Sequence, residues 1–297
     1  MELITGENDK GRRLDRILRK ALPFHPLPLI HRLLRQGQVF VNGKPAKAQD
    51  RLDCGVVIFI PSLNDAPKPT PRALSPASPQ IIWQGPGLIA VNKPAGLSVH
   101  GSESLDTVVR SFLADKITPS LSFKPGPLHR LDKPSSGVVV FSTDIEGARL
   151  FSVLMRERRI RKTYLAIVEG NVKNEEIWED ELVRDKAIRK TFVSRPNSAG
   201  KKNAVTKIKP LSSDGNYSLV TAEIATGRTH QIRAQAAAHG YPLAGDKKYG
   251  GHGKDGFFLH AWKLEFLEHS IEAPLPETFK KKIRTLFSNM NPDSFAD

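Results

Sequence analysis

Asp132 lies in a short segment, residues 127–141, in which a carboxylate is surrounded by basic and hydroxyl side chains. The segment reads PLHRLDKPSSGVVVF, so His129, Arg130 and Lys133 flank the carboxylate. Neighbouring cations favour the charged form of a carboxylate. A charged carboxylate acts as a nucleophile or stabilises positive charge that forms during a reaction. The pattern also suits an aspartate that only caps a turn, and by itself it favours that structural interpretation.

Hydrophobic patterning predicts the elements that hold this loop. A buried apolar strand follows Gly137, and residues 164–168 form another strand-like run. Thr143 with Glu146 predicts a capped helix start, and Thr229 predicts the cap of a helix that runs to Gly240. Asp214-Gly215 predicts a hairpin turn between two strands. Many strands without regular alternation with helices indicate the α+β class.

A proline-rich segment divides the chain. Residues 62–79 read SLNDAPKPTPRALSPASP and contain five prolines. Proline fixes φ and lacks an amide donor, so this stretch predicts an extended linker. The predicted organisation is a small domain over residues 1–61, a linker over 62–79 and a larger domain over 80–297.

The small domain combines two short helices with basic residues and a small sheet. Leu14, Ile17 and Leu18 have helical spacing, and Asn42-Gly43 predicts a hairpin turn. The stretch 33–43, LLRQGQVFVNG, resembles the S4-like RNA-binding domain. The resemblance implies RNA binding. The alternative is a basic helical module that only packs against the larger domain.

Charge and composition narrow the function further. Lys plus Arg is 45 and Asp plus Glu is 31, which gives a formal net charge of +14. Such a surplus favours a polyanionic partner, either a nucleic acid or an anionic membrane. Cys54 is the single cysteine, which excludes an intramolecular disulfide and zinc sites built from several cysteines. Without a signal-like or membrane-length apolar segment, we expect a soluble cytoplasmic protein.

Two further sequence patterns bear on ligand binding. Residues 251–256 match G-x-G-x-x-G, but the dinucleotide fingerprint needs a preceding strand and a following helix. We therefore expect a loop there and no cofactor, and nothing in the sequence implies a metal. The basic run 156–162, RERRIRK, predicts phosphate contacts.

Four segments in order along the chain resemble one family. They are residues 92–100 (NKPAGLSVH), 127–141, 161–170 (RKTYLAIVEG) and 227–233 (GRTHQIR), the last continuing into Gly245-Asp246 and Tyr249-Gly250. Together they resemble the RluA-type pseudouridine synthases, which isomerise uridine in structured RNA. Ser135 stands where that family usually has threonine. The resemblance implies a mainly antiparallel sheet and no cofactor.

The resemblance also implies roles for individual residues. Asp132 matches the catalytic carboxylate, Tyr164 the aromatic residue beside the target base, and Arg233 the basic residue that pairs with the carboxylate. Arg130 matches the residue associated with extruding the target nucleotide. His129, Arg228 and His230 are further candidates for contact with RNA or for base flipping.

The substrate and the chemistry leave alternatives open. S4-bearing relatives commonly act on large-subunit (23S) ribosomal RNA, which is the expected substrate, with transfer RNA as the alternative. A non-catalytic RNA-binding or ribosome-assembly factor and an N-glycosidase are the competing functions. The sequence leaves open whether Asp132 attacks the sugar, attacks the base or removes a sugar proton. We expect a monomer.

Overall fold

The N-terminal part forms a small sheet packed on a helix pair. The structure, a computed structural model, describes residues 1–63, 78–194, 200–254 and 256–295, so the predicted linker lies largely outside the described residues. The elements of this part are β1 (Glu2–Ile4), β2 (Arg12–Arg13), α1 (Leu14–Ala21), α2 (Leu27–Arg35), β3 (Phe40–Val41), β4 (Lys44–Pro45), β5 (Arg51–Leu52) and β6 (Val57–Phe59). Four strands pair in the order β1-β6-β3-β4, and β2 pairs with β5. The predicted helices and the hairpin at Asn42-Gly43 are confirmed.

The second part is built on one large sheet. Its strands are β7 (Ile81–Gly85), β8 (Leu88–Lys93), β9 (Gly126–Pro127), β10 (Ser136–Ser142), β11 (Ile160–Glu169), β12 (Glu176–Asp185), β13 (Lys190–Val193), β14 (Lys202–Ser213), β15 (Tyr217–Ile224), β16 (Leu259–Phe266) and β17 (His269–Glu272). Its helices are α3 (Leu105–Leu113), α4 (Ile145–Arg156), α5 (Gln231–Ala238) and α6 (Glu277–Leu286). The main path runs β13-β12-β14-β15-β11-β16-β10-β8-β7. Among the strand pairs of the described residues, only β10 with β16 is parallel, so the predicted α+β class with a mainly antiparallel sheet is confirmed.

Strand β10 anchors the loop that carries Asp132. Every residue of β10 is buried, because Val139 and Phe141 enter one apolar cluster and Val138 and Val140 enter another on the opposite face. Gly137 has a φ of +113°, and a side chain there would collide with the backbone of Ala261 on β16. Glycine therefore allows the close parallel pairing that fixes where the loop enters the sheet.

Two predicted helix caps are wrong by one residue. The cap of α4 is Asp144, whose Oδ1 accepts a hydrogen bond from the Gly147 amide, while the Thr143 amide donates to the Gly87 carbonyl. The N-terminal boundary residue of α5 is His230, in a left-handed conformation with a φ of 55°. Tertiary contacts therefore decide both ends.

The two parts of the chain are joined by a buried carboxylate. Asp9 accepts hydrogen bonds from the amides of Leu121 and Ser122, at 2.9 Å each, and from both hydroxyls of Ser120 and Ser122. Arg12 donates to the Ser122 hydroxyl at 2.8 Å. The small domain therefore packs against the larger one, as the alternative interpretation anticipated, while basic side chains of its helices stay exposed, namely Arg16, Arg19, Lys20, Arg32 and Arg35.

Residues 251–254 and 256 lie outside helices and strands, and strand β16 follows them, so among the described residues no helix stands where the fingerprint requires one. Within the described ranges, no helix is long and apolar enough to cross a membrane.

Candidate active site

A cavity of about 250 Å³ opens between the Asp132 loop, strand β11 and the start of α5. Its lining includes all seven residues singled out in the sequence, which are His129, Arg130, Asp132, Tyr164, Arg228, His230 and Arg233. The sequence separates these residues by up to about a hundred positions, and the sheet brings them together. One cavity therefore accounts for the whole predicted set.

Asp132 presents its two carboxylate oxygens differently. Arg233 Nη1 lies 2.9 Å from Oδ2, and His230 Nε2 lies 3.8 Å from the same oxygen. In the described part of the chain, no hydrogen bond reaches Oδ1. The Asp132 side chain is 18% exposed, so it remains accessible from the cavity. Its position is that of a held carboxylate with one oxygen left for a substrate.

Arg233 is fixed by a second carboxylate that the sequence did not single out. Its Nε and Nη2 donate to the two oxygens of Asp246 at 2.7 and 2.9 Å. Asp246 is 2% exposed, and the guanidinium lies between the rings of Tyr249 and Phe257, at 4.9 and 4.4 Å. Burial acts to lower the pKa of Arg233, but Asp246 and then Asp132 outweigh it and raise the pKa. The pairing with Asp132 is confirmed, but the two-pronged fork is used on Asp246.

Tyr164 lies on β11 with its ring against the cavity. It is 8% exposed and belongs to the main apolar cluster of the large domain. Burial, and then the charge of Asp132, raise the pKa of its hydroxyl above the usual value. The phenol therefore stays protonated at neutral pH, and Tyr164 lines the same cavity as Asp132.

The buried side chain of Lys93 stabilises the loop that carries Asp132. Lys93 Nζ donates to the carbonyls of Leu97, Pro94 and Lys133 at 2.7, 2.9 and 3.2 Å. Burial lowers the pKa of Lys93 to about 8, and the charge of Asp132 opposes this shift. The motif at residues 92–100 therefore acts on the site through the carbonyl of Lys133, next to Asp132.

The RNA contact predicted for His129 is not supported by its geometry. Its Nε2 accepts a hydrogen bond from the Val140 amide at 3.0 Å, and its ring stacks on Phe151. Burial, and then the charge of Lys162, lower the pKa of His129 to about 3. His129 is thus a neutral side chain that ties the loop to β10.

The three other predicted RNA contacts lie around the cavity mouth. Arg130 is exposed. Arg228 is oriented by its Nε, which donates to the Asn203 carbonyl at 3.0 Å. His230 Nδ1 lies 2.8 Å from the Tyr249 hydroxyl, and burial lowers the pKa of His230 against the opposing charge of Asp132. His230 is therefore a neutral neighbour of Asp132 and also a partner of Tyr249.

For three site residues, the sequence gave no individual role in the cavity. Asp246 and Tyr249 sit in the Gly245-Asp246 and Tyr249-Gly250 segments, which carried the resemblance but gave no role for either. Lys162 stands two residues before Tyr164 on the same strand face and also lines the cavity. A carboxylate in the segments that follow Arg233 was the sequence feature that could have indicated Asp246. Its distance along the chain gave no sign that the two side chains meet.

The set has the parts for chemistry at a sugar–base bond. It offers a carboxylate with an open oxygen, a guanidinium that compensates its charge, an aromatic face and cations at the mouth. Oxocarbenium-like charge develops when such a bond breaks, and a carboxylate stabilises or traps it. In the described residues, no group of three or more His, Cys, Asp or Glu side chains has the arrangement of a metal site.

The comparisons with known proteins identify the family. Residues 87–238 match the RNA pseudouridylate synthase family, and residues 12–58 match the S4 domain. The chain belongs to the RNA pseudouridylate synthase family and carries an N-terminal S4 domain. It is therefore an enzyme of the isomerase class.

Individual relatives extend over nearly the whole chain. Ribosomal large subunit pseudouridine synthase C of Vibrio vulnificus is 30% identical, with 94% of each chain covered. The protein of the same name from Escherichia coli strain K12 is 29% identical, again with 94% of each chain covered. In fold, the chain is similar to human RNA Pseudouridylate Synthase Domain Containing 4, with a TM-score of 0.59, 24% identity, and coverage of 69% of this chain and 92% of that one.

Proposed function

We propose that this protein isomerises specific uridines to pseudouridine in large-subunit ribosomal RNA, with Asp132 as the catalytic carboxylate. The observation that carries the catalytic assignment is the open Oδ1 of Asp132 beside Tyr164, with Oδ2 held by Arg233 at 2.9 Å. The substrate assignment is supported by relatives named as ribosomal large subunit pseudouridine synthases, which match along both the S4 domain and the catalytic domain.

The proposed reaction begins with extrusion of the target uridine from the folded RNA. Unstacking a base costs a few kcal/mol. Arg130, exposed at the mouth, takes the space that the base vacates. The uracil then stacks on Tyr164, which returns about 1–3 kcal/mol. Because the Tyr164 hydroxyl stays protonated, its ring, and not a phenolate, serves the base.

The bond changes follow within the cavity. The bond between uracil N1 and sugar C1′ breaks, and the Asp132 carboxylate stabilises the electron-deficient sugar or bonds to it. After the uracil rotates, C5 bonds to C1′ and any bond between Asp132 and C1′ breaks, which returns the free carboxylate. C5 then loses its proton and N1 gains one, so the product is an isomer. Arg233 compensates the charge of Asp132 throughout, and Asp246 keeps Arg233 in place.

The S4 domain supplies a second grip on the RNA through its exposed basic helices. The buried contacts of Asp9 fix its position relative to the cavity. We retain the division into residues 1–61, 62–79 and 80–297, a monomer and a cytoplasmic location as parts of this proposal. The S4 prediction of RNA binding and the observed packing against the larger domain are compatible, because they use different residues.

The test is a pseudouridine map of total RNA from cells that lack the gene, complemented with the wild type or with Asp132→Asn. We expect one or a few sites in large-subunit ribosomal RNA to be lost and to return only with the wild type. Sites lost from transfer RNA instead would overturn the substrate assignment. Abasic sites in place of pseudouridine would indicate an N-glycosidase. An unchanged map together with RNA crosslinking would favour a binding factor.

A further inference from the structure

A second cleft adjoins the active-site cavity and is lined by basic side chains. It encloses about 240 Å³ and shares Met155, Lys162 and Arg228 with the cavity. We call it the basic cleft and define its charged residues as Arg156, Arg158, Lys162 and Arg228. No carboxylate is among its lining residues in the described part of the chain.

The basic run 156–162 is divided between this cleft and the outer surface. Arg159 pairs with Glu157 at 3.5 Å, and Arg161 on β11 pairs with Glu223 at 3.4 Å. By contrast, Arg156 and Arg158 make no ion pair with any residue that the structure describes. The sequence treats the run as one feature, but the fold neutralises its outer members and leaves the inner ones without an anion.

Local backbone geometry explains the division. Helix α4 ends in a turn in which Arg158 has a φ of 56° and the Arg159 amide donates to the Leu154 carbonyl. This left-handed turn redirects the chain into β11, where successive side chains alternate between faces. Arg161 and Lys162 therefore point to opposite sides, and only Lys162 faces the cleft.

The environment of Lys162 is the strongest indication that the basic cleft binds an anion. Its ammonium lies 3.1 Å from the Met155 sulfur and has no carboxylate partner among the residues that the structure describes. Burial lowers the pKa of Lys162 to about 8. A cation removed from water without a counter-charge is unfavourable, and such perturbed groups cluster at functional sites. A bound anion would supply the missing charge.

Arg228 completes the cleft at its border with the cavity. Its Nε donates to the Asn203 carbonyl, and its amide donates to the Gln231 side chain at 3.0 Å. In the ranges that the structure covers, its terminal guanidinium nitrogens have no hydrogen-bond partner. Arginine binds phosphate oxygens through this planar fork, and lysine binds them as a point charge.

We propose that the basic cleft binds a backbone phosphate of the RNA strand immediately next to the nucleotide whose base enters the cavity. This inference rests on the proposed function, because it takes RNA as the substrate. Lys162 and Tyr164 share one face of β11, so a nucleotide stacked on Tyr164 brings its own backbone past the ammonium. The cleft thereby sets the register of the strand, while the S4 domain contacts more distant parts of the RNA.

The test compares two double variants of the full-length chain that remove equal charge from the same run. Arg156→Gln with Arg158→Gln strips the cleft, and Arg159→Gln with Arg161→Gln strips the outer surface as the matched control. Both are made in an Asp132→Asn background, so that the RNA is not converted. Binding of an unmodified large-subunit ribosomal RNA transcript is measured by filter retention between about 50 and 200 mM salt, where phosphate contacts have their strongest signature.

We expect the cleft variant to weaken Kd about tenfold or more and to reduce the slope of log Kd against log salt by about one, because the cleft contacts a single phosphate. The control should change Kd less than about threefold, and Lys162→Met should reduce the slope by about one. Equal losses for both double variants would overturn the proposal, since they would show a diffuse charge effect. A Lys162→Met variant with unchanged binding would also contradict it. Circular dichroism and thermal unfolding check that each variant is folded.

Failure of the proposed function has a different readout. With Asp132 restored, the wild type is incubated with the same transcript and pseudouridine is measured directly. Binding through the cleft without any pseudouridine would refute the substrate assignment and leave the phosphate site standing.

Discussion

Asp9 and Asp132 are both carboxylates fixed by hydrogen bonds, but they differ in how many of their oxygens accept those bonds. Asp9 is fully buried between the two domains, and both of its oxygens accept hydrogen bonds. Asp132 is 18% exposed and receives its contacts on Oδ2 alone. The difference separates a carboxylate that joins two domains from one that is kept available for a reaction.

The hydrogen-bond donors around the two carboxylates also differ in charge. Asp9 is satisfied mainly by neutral donors, the amides and hydroxyls of residues 120–122. Asp132 is held by the Arg233 guanidinium, which is itself anchored by Asp246. The charge that anchors Arg233 thus belongs to a third carboxylate. In the proposed reaction, Asp132 therefore changes its bonding while Arg233 keeps a partner.

The largest expected effect on stability comes from removing the Asp246 carboxylate, which anchors Arg233. Asp246→Asn leaves a buried guanidinium with a weakened partner and should reduce the free energy of unfolding by about 3–5 kcal/mol, because breaking a buried pair exposes an uncompensated charge. Urea unfolding followed by circular dichroism measures this. Adding Arg233→Met should restore part of the stability and none of the activity. A stability equal to that of the wild type would contradict the anchoring role.

Asp9→Asn should cost about 2–3 kcal/mol, since it replaces charge-assisted hydrogen bonds across the domain contact with weaker ones. The matched control is Asp15→Asn, which removes a carboxylate from a partly exposed pair with Arg13 and should cost under about 1 kcal/mol. Activity at low temperature should survive in both variants. If the two costs were equal, Asp9 would not hold the domains together.

Asp132→Asn should change stability by less than about 1 kcal/mol, because it removes one partly exposed contact and leaves the pair of Arg233 with Asp246 intact. The same urea titration reports it. A loss as large as that for Asp246→Asn would make Asp132 a structural residue and would break the comparison with Asp9.

The smallest effect is a pH dependence. Burial acts to raise the pKa of Asp9, but hydrogen bonds from Ser122, Gly6, Leu121 and Ser120 outweigh it and lower the pKa below the ordinary value. The unfolded chain therefore binds the proton first as the pH falls. The stabilisation from the Asp9 charge is complete above about pH 4 and is lost as the pH falls through the lowered folded value.

The difference in stability between the wild type and Asp9→Asn should accordingly be constant from pH 7 to about pH 5 and shrink below about pH 4. Urea midpoints at a series of pH values provide the measurement. A difference that grows on acidification would reverse the sign of the argument.

Much of the fold was predictable because it rests on local signals. Asn42-Gly43 and Asp214-Gly215 are residue pairs that favour tight turns, and each lies between two paired strands. The apolar run after Gly137 forms a strand that is buried along its whole length. The caps at Thr143 and Thr229 were misplaced because both residues make tertiary contacts: the Thr143 amide donates to the Gly87 carbonyl, and the Thr229 carbonyl accepts from the Thr191 hydroxyl. Propensity alone does not register such tertiary contacts.

The site was predictable where segments of the sequence resemble a known family. The sequence singled out Asp132, Tyr164 and Arg233, and all three line one cavity. The second partner of Arg233 was missed, because Asp246 is thirteen positions away and comes within hydrogen-bond distance only in the folded chain. His129 was predicted to contact RNA, and nothing local in the sequence indicates the hydrogen bond that it accepts from the Val140 amide on β10.

The most direct test of the central claim is release of tritium from ribosomal RNA labelled at uracil C5. Forming the bond between C5 and C1′ displaces that hydrogen, so each pseudouridine made releases one label. We expect the purified wild type to release tritium from large-subunit RNA of cells lacking the gene, and Asp132→Asn to release at least about a thousandfold less while it binds the RNA with the same Kd. Release by Asp132→Asn at a rate near that of the wild type would contradict the account.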